Sequence, residues 1–265
     1  MGPDVEPDQR AGAVRAAVAA VGTSQLLQPH QPALAAMITS ALETPFGGPD
    51  AAVFRNLRFA DFGPADRLAE MNFEMGLALL DRDVRARDVG RVLRQFLAPG
   101  DRLAEYADTL AGRAFDVPLA GLINGSIDAV LRVPNSAPDR PQLLIADYKT
   151  NRLHRRDDPQ PLAAYAPARL DVAMAHHHYP LQALVYGTAV WRMLRWRLGR
   201  RHPADWDPGE CISGIVYGFI RGMQGPTTPA GADGRRYGVF TWEPPVGIWR
   251  QLSDLFAGDL TGVRS

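Results

Sequence analysis

The sequence predicts an α/β fold: a mixed central β-sheet flanked by helices, with an N-terminal helical segment. Three observations predict it. Apolar residues recur at helical spacing through the first 42 residues. Two apolar runs, 121–133 and 142–148, flank a turn-rich PNSAPDRP stretch. A long helical pattern over 168–198 then precedes a wholly apolar run at 211–220. Strands interleaved with helices in this way assemble as a sheet covered by helices.

Each element has its own signal. Residues 10–21 are Ala-rich, with Val14, Ala17, Val18 and Val21 on one helical face, and 31–42 repeat the pattern between Pro32 and Pro45. Gly and Pro punctuate 46–64, a loop around the short FRNLRF piece. Residues 69–80 alternate at their start and predict a strand. Two helices follow over 86–96 and 101–112, the second capped by Asp101 after Pro99-Gly100. The runs 121–133 and 142–148 read as a β-hairpin with a long loop. A loop rich in Arg, Asp and Pro covers 150–161. The helix over 168–198 starts just past Pro167, and Pro180 should start or kink its main body. A buried strand over 211–220, a short strand over 237–242 and a closing helix over 247–256 complete the chain. The expected division is a helical segment over 1–65, cut short at its start, and one domain over 66–265.

Composition excludes several classes. No apolar run approaches the roughly 20 residues of a membrane helix, and the polar, acidic start is unlike a signal peptide. A single cysteine permits no internal disulfide and suits a reducing cytoplasm; Cys211, beside an apolar run, reads as a small buried hydrophobe. The 29 basic and 29 acidic residues balance, which argues against a purely electrostatic nucleic-acid binder. An enzyme that carries acidic metal ligands can be neutral overall. Of the 29 basic residues only Lys149 is Lys. Beside so much Ala, Gly and Pro, this suggests a GC-rich genome that favours Arg codons. A lysine retained there is expected to do what a planar guanidinium cannot.

Its neighbours point to chemistry. Asp128 lies inside the first hairpin strand and Asp147 ends the second, directly after Leu143-Leu144-Ile145-Ala146. Lys149, two residues on, shares the face of Asp147 on an extended chain. Carboxylates embedded in hydrophobic strands are costly unless paired, hydrogen-bonded or metal-bound. Two of them with an ammonium make a candidate Mg²⁺ site, the ion polarising a scissile phosphate and Lys149 orienting water or offsetting charge. The same pattern is also met by a buried Asp147–Lys149 salt bridge at a strand end.

Asp128…Asp147-Tyr148-Lys149 resembles the motif of the PD-(D/E)XK nuclease superfamily. The wider segment is similar to the C-terminal nuclease domain of RecB. GSIDAVLR (125–132), ADYKTN (146–151), AMAHHHYPLQALVYGTAV (173–190), GIVYGFIRGM (214–223) and WRQLSDLFAG (249–258) carry the likeness, in order, across 66–258. It implies a restriction-endonuclease-like core with Asp128 and Asp147 as metal ligands, Lys149 as the catalytic lysine and the Tyr148 carbonyl as a further ligand. Glu70 matches an upstream acid that helps build the site, its alternative being an ordinary exposed strand residue. Gln182 and Tyr186 form a Gln-x-x-x-Tyr pair on one helix face, touching DNA, positioning the lysine or simply facing the sheet. His177 matches a family histidine, and Tyr179, Asn151 and Arg152 fall where DNA contacts or site support are expected. The implied cofactor is Mg²⁺, with Mn²⁺ or Ca²⁺ as substitutes. The implied partners are single- and double-stranded DNA, RecC, RecD and RecA, with no membrane. The family's N-terminal histidine ligand has no counterpart, since His30 sits in a QPHQP loop; its helix is expected to precede residue 1. A catalytically impaired docking module is therefore the alternative to an active nuclease.

Three other features stay open. His176, His177 and His178, if consecutive on a helix, point about 100° apart and cannot share one ion. Arg152, Arg155 and Arg156 either clamp phosphates or form a solvated loop beside Asp157 and Asp158. Trp191 and Trp196, interleaved with Arg192, Arg195 and Arg197, suggest core packing with a basic outer face, base stacking being the alternative.

Overall fold

Among the described residues there are five strands: β1 (Arg67–Gly76), β2 (Leu122–Arg132), β3 (Leu143–Lys149), β4 (Ile212–Phe219) and β5 (Val239–Trp242). They make one mixed sheet in the order β1-β2-β3-β4-β5. Seven α-helices accompany them among the described residues: α1 (Pro7–Val21), α2 (Gln31–Glu43), α3 (Ala86–Phe96), α4 (Ala104–Leu110), α5 (Pro167–His176), α6 (Tyr179–Leu198) and α7 (Ile248–Phe256). The computed structural model describes residues 6–22, 27–47, 53–54, 57–78 and 84–263. This is the expected α/β architecture, and it is consistent with a PD-(D/E)XK-like core.

The predicted hairpin is present. β2 and β3 pair antiparallel, with Ala129 opposite Ala146 and Leu131 opposite Leu144. The strand expected over 69–80 begins earlier, at Arg67, and ends at Gly76; residues 79–80 lie outside the described residues, as do 55–56 of the FRNLRF piece. The single helix expected over 168–198 is two helices. α5 stops at His176, and α6 begins at Tyr179 with Pro180 in its first turn. A proline ring clashes with the carbonyl four residues back and lacks an N–H. The chain therefore turns at His178, whose φ of 54° is left-handed, and the three histidines are not successive residues of one helix.

The packing does not divide at residue 65. One compact unit comprises 1–69, 128–173 and 214–242; the other comprises 70–127, 174–213 and 243–265. The N-terminal helices thus belong with the β2–β3 hairpin rather than forming a separate segment.

In the first unit, strand alternation sorts the hairpin. Ala129, Leu131, Leu144 and Ala146 face a core completed by Phe46, Phe54, Phe59, Phe62, Val216 and Val239. α1 packs on α2 through Val14, Val18 and Ala35. Glu43 at the end of α2 pairs with the buried Arg10 of α1 and, at 2.8 Å, with Arg58, which also holds Asp61 at 3.0 Å. Phe59 follows Arg58 directly and lies 4.8 Å from the Tyr148 ring.

In the second unit, α6 packs on α7 where Gly187 leaves room for Trp249: a Cβ there would lie 2.3 Å from the indole. Arg192 reinforces the contact, donating to the Ser253 carbonyl at 2.8 Å and its Oγ at 2.9 Å, and to the Gly76 carbonyl at 3.0 Å.

Candidate active site

The alternation that sends Ala129, Leu131, Leu144 and Ala146 into one core turns Asp128, Asp147 and Lys149 to the opposite face. The pairing of Ala129 with Ala146, carried one residue further, sets Asp128 opposite Asp147. The Tyr148 amide donates to Asp128 Oδ2 at 2.8 Å. Lys149 Nζ lies 2.5 Å from Asp147 Oδ1. The two carboxylates and the only lysine therefore meet, as the spacing predicts.

Asp147 is 3% exposed. Burial pushes its carboxyl up to about 6; Lys149 pulls it down and Asp128 raises it further. A carboxyl that is hard to ionise where it stands gains from a second cation. The three side chains carry one positive and two negative charges, and both acids offer hard oxygen donors. Such a set fits a small divalent ion that keeps several waters and takes few protein ligands. Among the described residues, no group of three or more His, Cys, Asp or Glu is placed to hold a metal. The fit thus rests on the acid pair. The part of Tyr148 seen to join the pair is its amide N–H; burial pushes its own hydroxyl up to about 12.

Residues that sequence reasoning missed hold this trio. Val216 of β4 faces the core, so Tyr217 faces the site side. Its ring is buried, with its centroid 5.2 Å from Lys149 Nζ. Phe240, paired with Tyr217 across β4 and β5, meets it edge-on at 6.5 Å. The segment after Lys149 is pinned twice. Arg221 donates to the Thr150 carbonyl at 2.8 Å. The fully buried Tyr165 donates its hydroxyl to the Asn151 carbonyl at 3.0 Å and accepts from the Leu153 amide at 3.3 Å. Tyr165 needs Gly222 beside it, since a Cβ there would lie 2.4 Å from the Tyr165 Cβ. Tyr217, Arg221 and Gly222 all fall in the GIVYGFIRGM stretch, where strand alternation could have singled out Tyr217. Tyr165, at the end of the short 3-10 helix Pro161–Tyr165, carries no local signal.

Arg152 is exposed on the loop that follows. The other candidates belong to the second unit. Glu70 is exposed on β1 with a φ of 49°, a conformation unusual for a residue with a Cβ. Gln182 donates to the Tyr186 hydroxyl at 2.8 Å, as the four-residue spacing on α6 allows. Tyr186 is buried and meets Phe73 of β1 edge-on at 5.9 Å. His177 is exposed and stacks on the half-buried Tyr179 at 5.3 Å. His178 turns away to Tyr106, Nδ1 lying 3.3 Å from its hydroxyl.

No protein-family model matches the chain. Over 227 residues, 84% of this chain, it is 40% identical to the RecBCD enzyme subunit RecB of Mycolicibacterium smegmatis. Over 230 residues, again 84%, it is 41% identical to the RecB subunit of Mycobacterium tuberculosis. The chain is homologous to part of RecB. Against RecB of Escherichia coli identity falls to 24% over 230 residues, 86% of the chain. The chain spans about a fifth of the length of the mycobacterial RecB proteins it matches. That extent fits a RecB C-terminal nuclease domain, the segment whose motifs the sequence resembles. No helix among the described residues of this RecB homologue is long and apolar enough to cross a membrane.

Proposed function

We propose that this chain is a RecB-type nuclease domain that hydrolyses DNA phosphodiester bonds, in recombination and double-strand-break repair, with a divalent cation. The observation that carries this reading is the meeting of Asp128, Asp147 and Lys149 on one sheet face in a chain homologous to RecB. Asp128 and Asp147, with the Tyr148 carbonyl as a third donor, would hold Mg²⁺, or Mn²⁺ or Ca²⁺ in its place. When bound, the ion supplies Lewis acidity to the scissile phosphate and to water.

The chain's own residues do the rest. Tyr148 N–H orients Asp128 through Oδ2. Lys149 neutralises Asp147 at rest. Its ammonium would orient the attacking water and offset charge on the phosphate. Tyr217 holds that ammonium over its ring, and Arg221 and Tyr165 fix the strand end that carries it. Glu70, Gln182, Tyr186, His177, Tyr179, Asn151 and Arg152 are proposed as site support or DNA contacts. RecC, RecD and RecA are proposed partners by resemblance.

One observation favours a second reading. Among the described residues no group of three or more His, Cys, Asp or Glu is placed to hold a metal, and a module that docks DNA or protein without cutting needs none. Incubation with linear and circular single-stranded DNA and linear duplex, in Mg²⁺ or EDTA, separates the two. Cleavage that needs Mg²⁺ and is lost in Lys149→Ala supports the nuclease; cleavage surviving both EDTA and Lys149→Ala sinks it. A folded protein that cuts nothing under any condition is the docking module.

A further inference from the structure

Four of the five tryptophans are buried, whereas Trp196 near the end of α6 is 79% exposed. The expectation that the aromatics of this helix pack inward holds for Trp191, whose Nε1 donates to Asp207 at 2.6 Å. It fails for Trp196. A large aromatic left in water is the informative case, because apolar burial is the rule for such side chains.

The arginines around it divide in the same way. Arg192 is engaged with Ser253 and Gly76, and Arg195 donates to the carbonyls of Trp206 and Ala204 at 2.9 and 3.0 Å. Arg197, Arg200 and Arg201 are exposed and make no hydrogen bond or ion pair with any described residue. Trp196 and Arg197 lie in the last turn of α6, and Arg200 and Arg201 in the 3-10 turn Gly199–Arg201 that follows it directly. The stretch 195–206 holds four arginines and one acid, Asp205, in a chain whose net charge is zero. Cations near a helix C-terminus offset its dipole. That accounts for an arginine here, but not for an exposed indole.

We propose that Trp196, Arg197, Arg200 and Arg201 form a docking site for an unpaired polynucleotide strand, lying wholly within the second unit. The indole stacks on a base, and the guanidinium groups take the adjoining phosphates. The combination selects this ligand. An acidic peptide satisfies the arginines but offers the indole no planar face at each step. An apolar partner covers the indole but strips water from three unpaired cations. A duplex presents phosphates but keeps its base faces stacked inside. Docking there does not depend on hydrolysis at Asp128 and Lys149.

The test is fluorescence anisotropy of labelled oligothymidylate with the whole chain in EDTA, where metal-dependent cleavage does not run. Trp196→Ala should weaken binding roughly tenfold and abolish the quenching of indole emission by the oligomer. Replacing Arg197, Arg200 and Arg201 with Ser should lower the log–log salt slope by about 2, at about 0.7 per phosphate contact on a single strand. Arg15→Ser, which removes an exposed arginine of α1, should keep both properties, which shows that the losses are not those of net charge alone. Equal melting temperatures of Trp196→Ala and the parent show that the fold is intact. Oligouridylate in parallel assigns the sugar, and a Trp196-dependent affinity for either strand supports the site. Unchanged oligothymidylate affinity in Trp196→Ala overturns it. So does an equal loss for a duplex of the same length, or displacement of the oligomer by polyglutamate at matched charge, which marks an acidic protein partner instead.

Discussion

The Tyr165 hydroxyl donates to the Asn151 carbonyl at 3.0 Å, two residues beyond Lys149. With its second bond, from the Leu153 amide, it ties down the turn by which the chain leaves β3. Tyr165→Phe keeps the ring against Gly222 and removes only the hydroxyl. It should cost about 1 kcal/mol in stability and lower kcat about tenfold or more, with KM nearly unchanged, since small misplacements of reacting groups are expensive. Urea unfolding with steady-state cleavage checks this. Full kcat in Tyr165→Phe would remove the positioning role.

Lys149 over Tyr217 gives a second prediction. A desolvated ammonium over an aromatic face is stabilised by about 2 kcal/mol. Tyr217→Phe retains the face and should retain most activity, whereas Tyr217→Leu should lose it mainly in kcat. If the Phe and Leu variants behave alike, the ring is packing and nothing more.

The buried Asp147 predicts a pH dependence of the metal-free protein. Its carboxyl titrates near 6 in the fold and near 4 in an unfolded chain, so it binds its proton more tightly when folded. Its contribution to stability is fully present below about pH 4 and is lost as pH rises through about 6. The loss is on the order of 3 kcal/mol or less. In EDTA, Asp147→Asn should be more stable than the parent at neutral pH, and the gap should narrow toward pH 5. Urea midpoints of both proteins across this range measure it. A gap that widens on acidification contradicts the burial argument.

The N-terminal helices should not be dispensable. Arg10 is 3% exposed and pairs with Glu43, which also holds Arg58. Breaking a buried pair leaves an uncompensated charge and costs about 3–5 kcal/mol. Arg10→Ala should lower stability by that order, and a chain starting at residue 66 should not fold cooperatively. Circular dichroism melts test both; a sharp melt from the shortened chain would restore the boundary at residue 65.

Much of this was legible because it is governed by short-range rules. A two-residue repeat places Asp147 and Lys149 on one face, and apolar runs locate β2, β3 and β4 within a residue or two. Pro180 marks the start of α6 because its ring cannot follow a helical turn. Hydrophobic spacing also places Trp191 inside, but it misjudges Trp196, since both lie on one helix and only the elements packed around it determine which stays wet.

The residues that hold the trio in place were beyond such rules. Nothing near Tyr165 in the chain foretells a hydroxyl bonded to Asn151 and Leu153. Nothing near Lys149 announces the ring of Tyr217 beneath it. The grouping of α1 and α2 with the hairpin, through Glu43 and Phe59, likewise depends on side chains meeting across long loops. Periodicity and backbone sterics act over a few residues, so composition and spacing alone decide the strands, the helices and the face that carries the acids. Which distant side chains close upon that face is decided by packing among many elements at once, and only the folded chain resolves it.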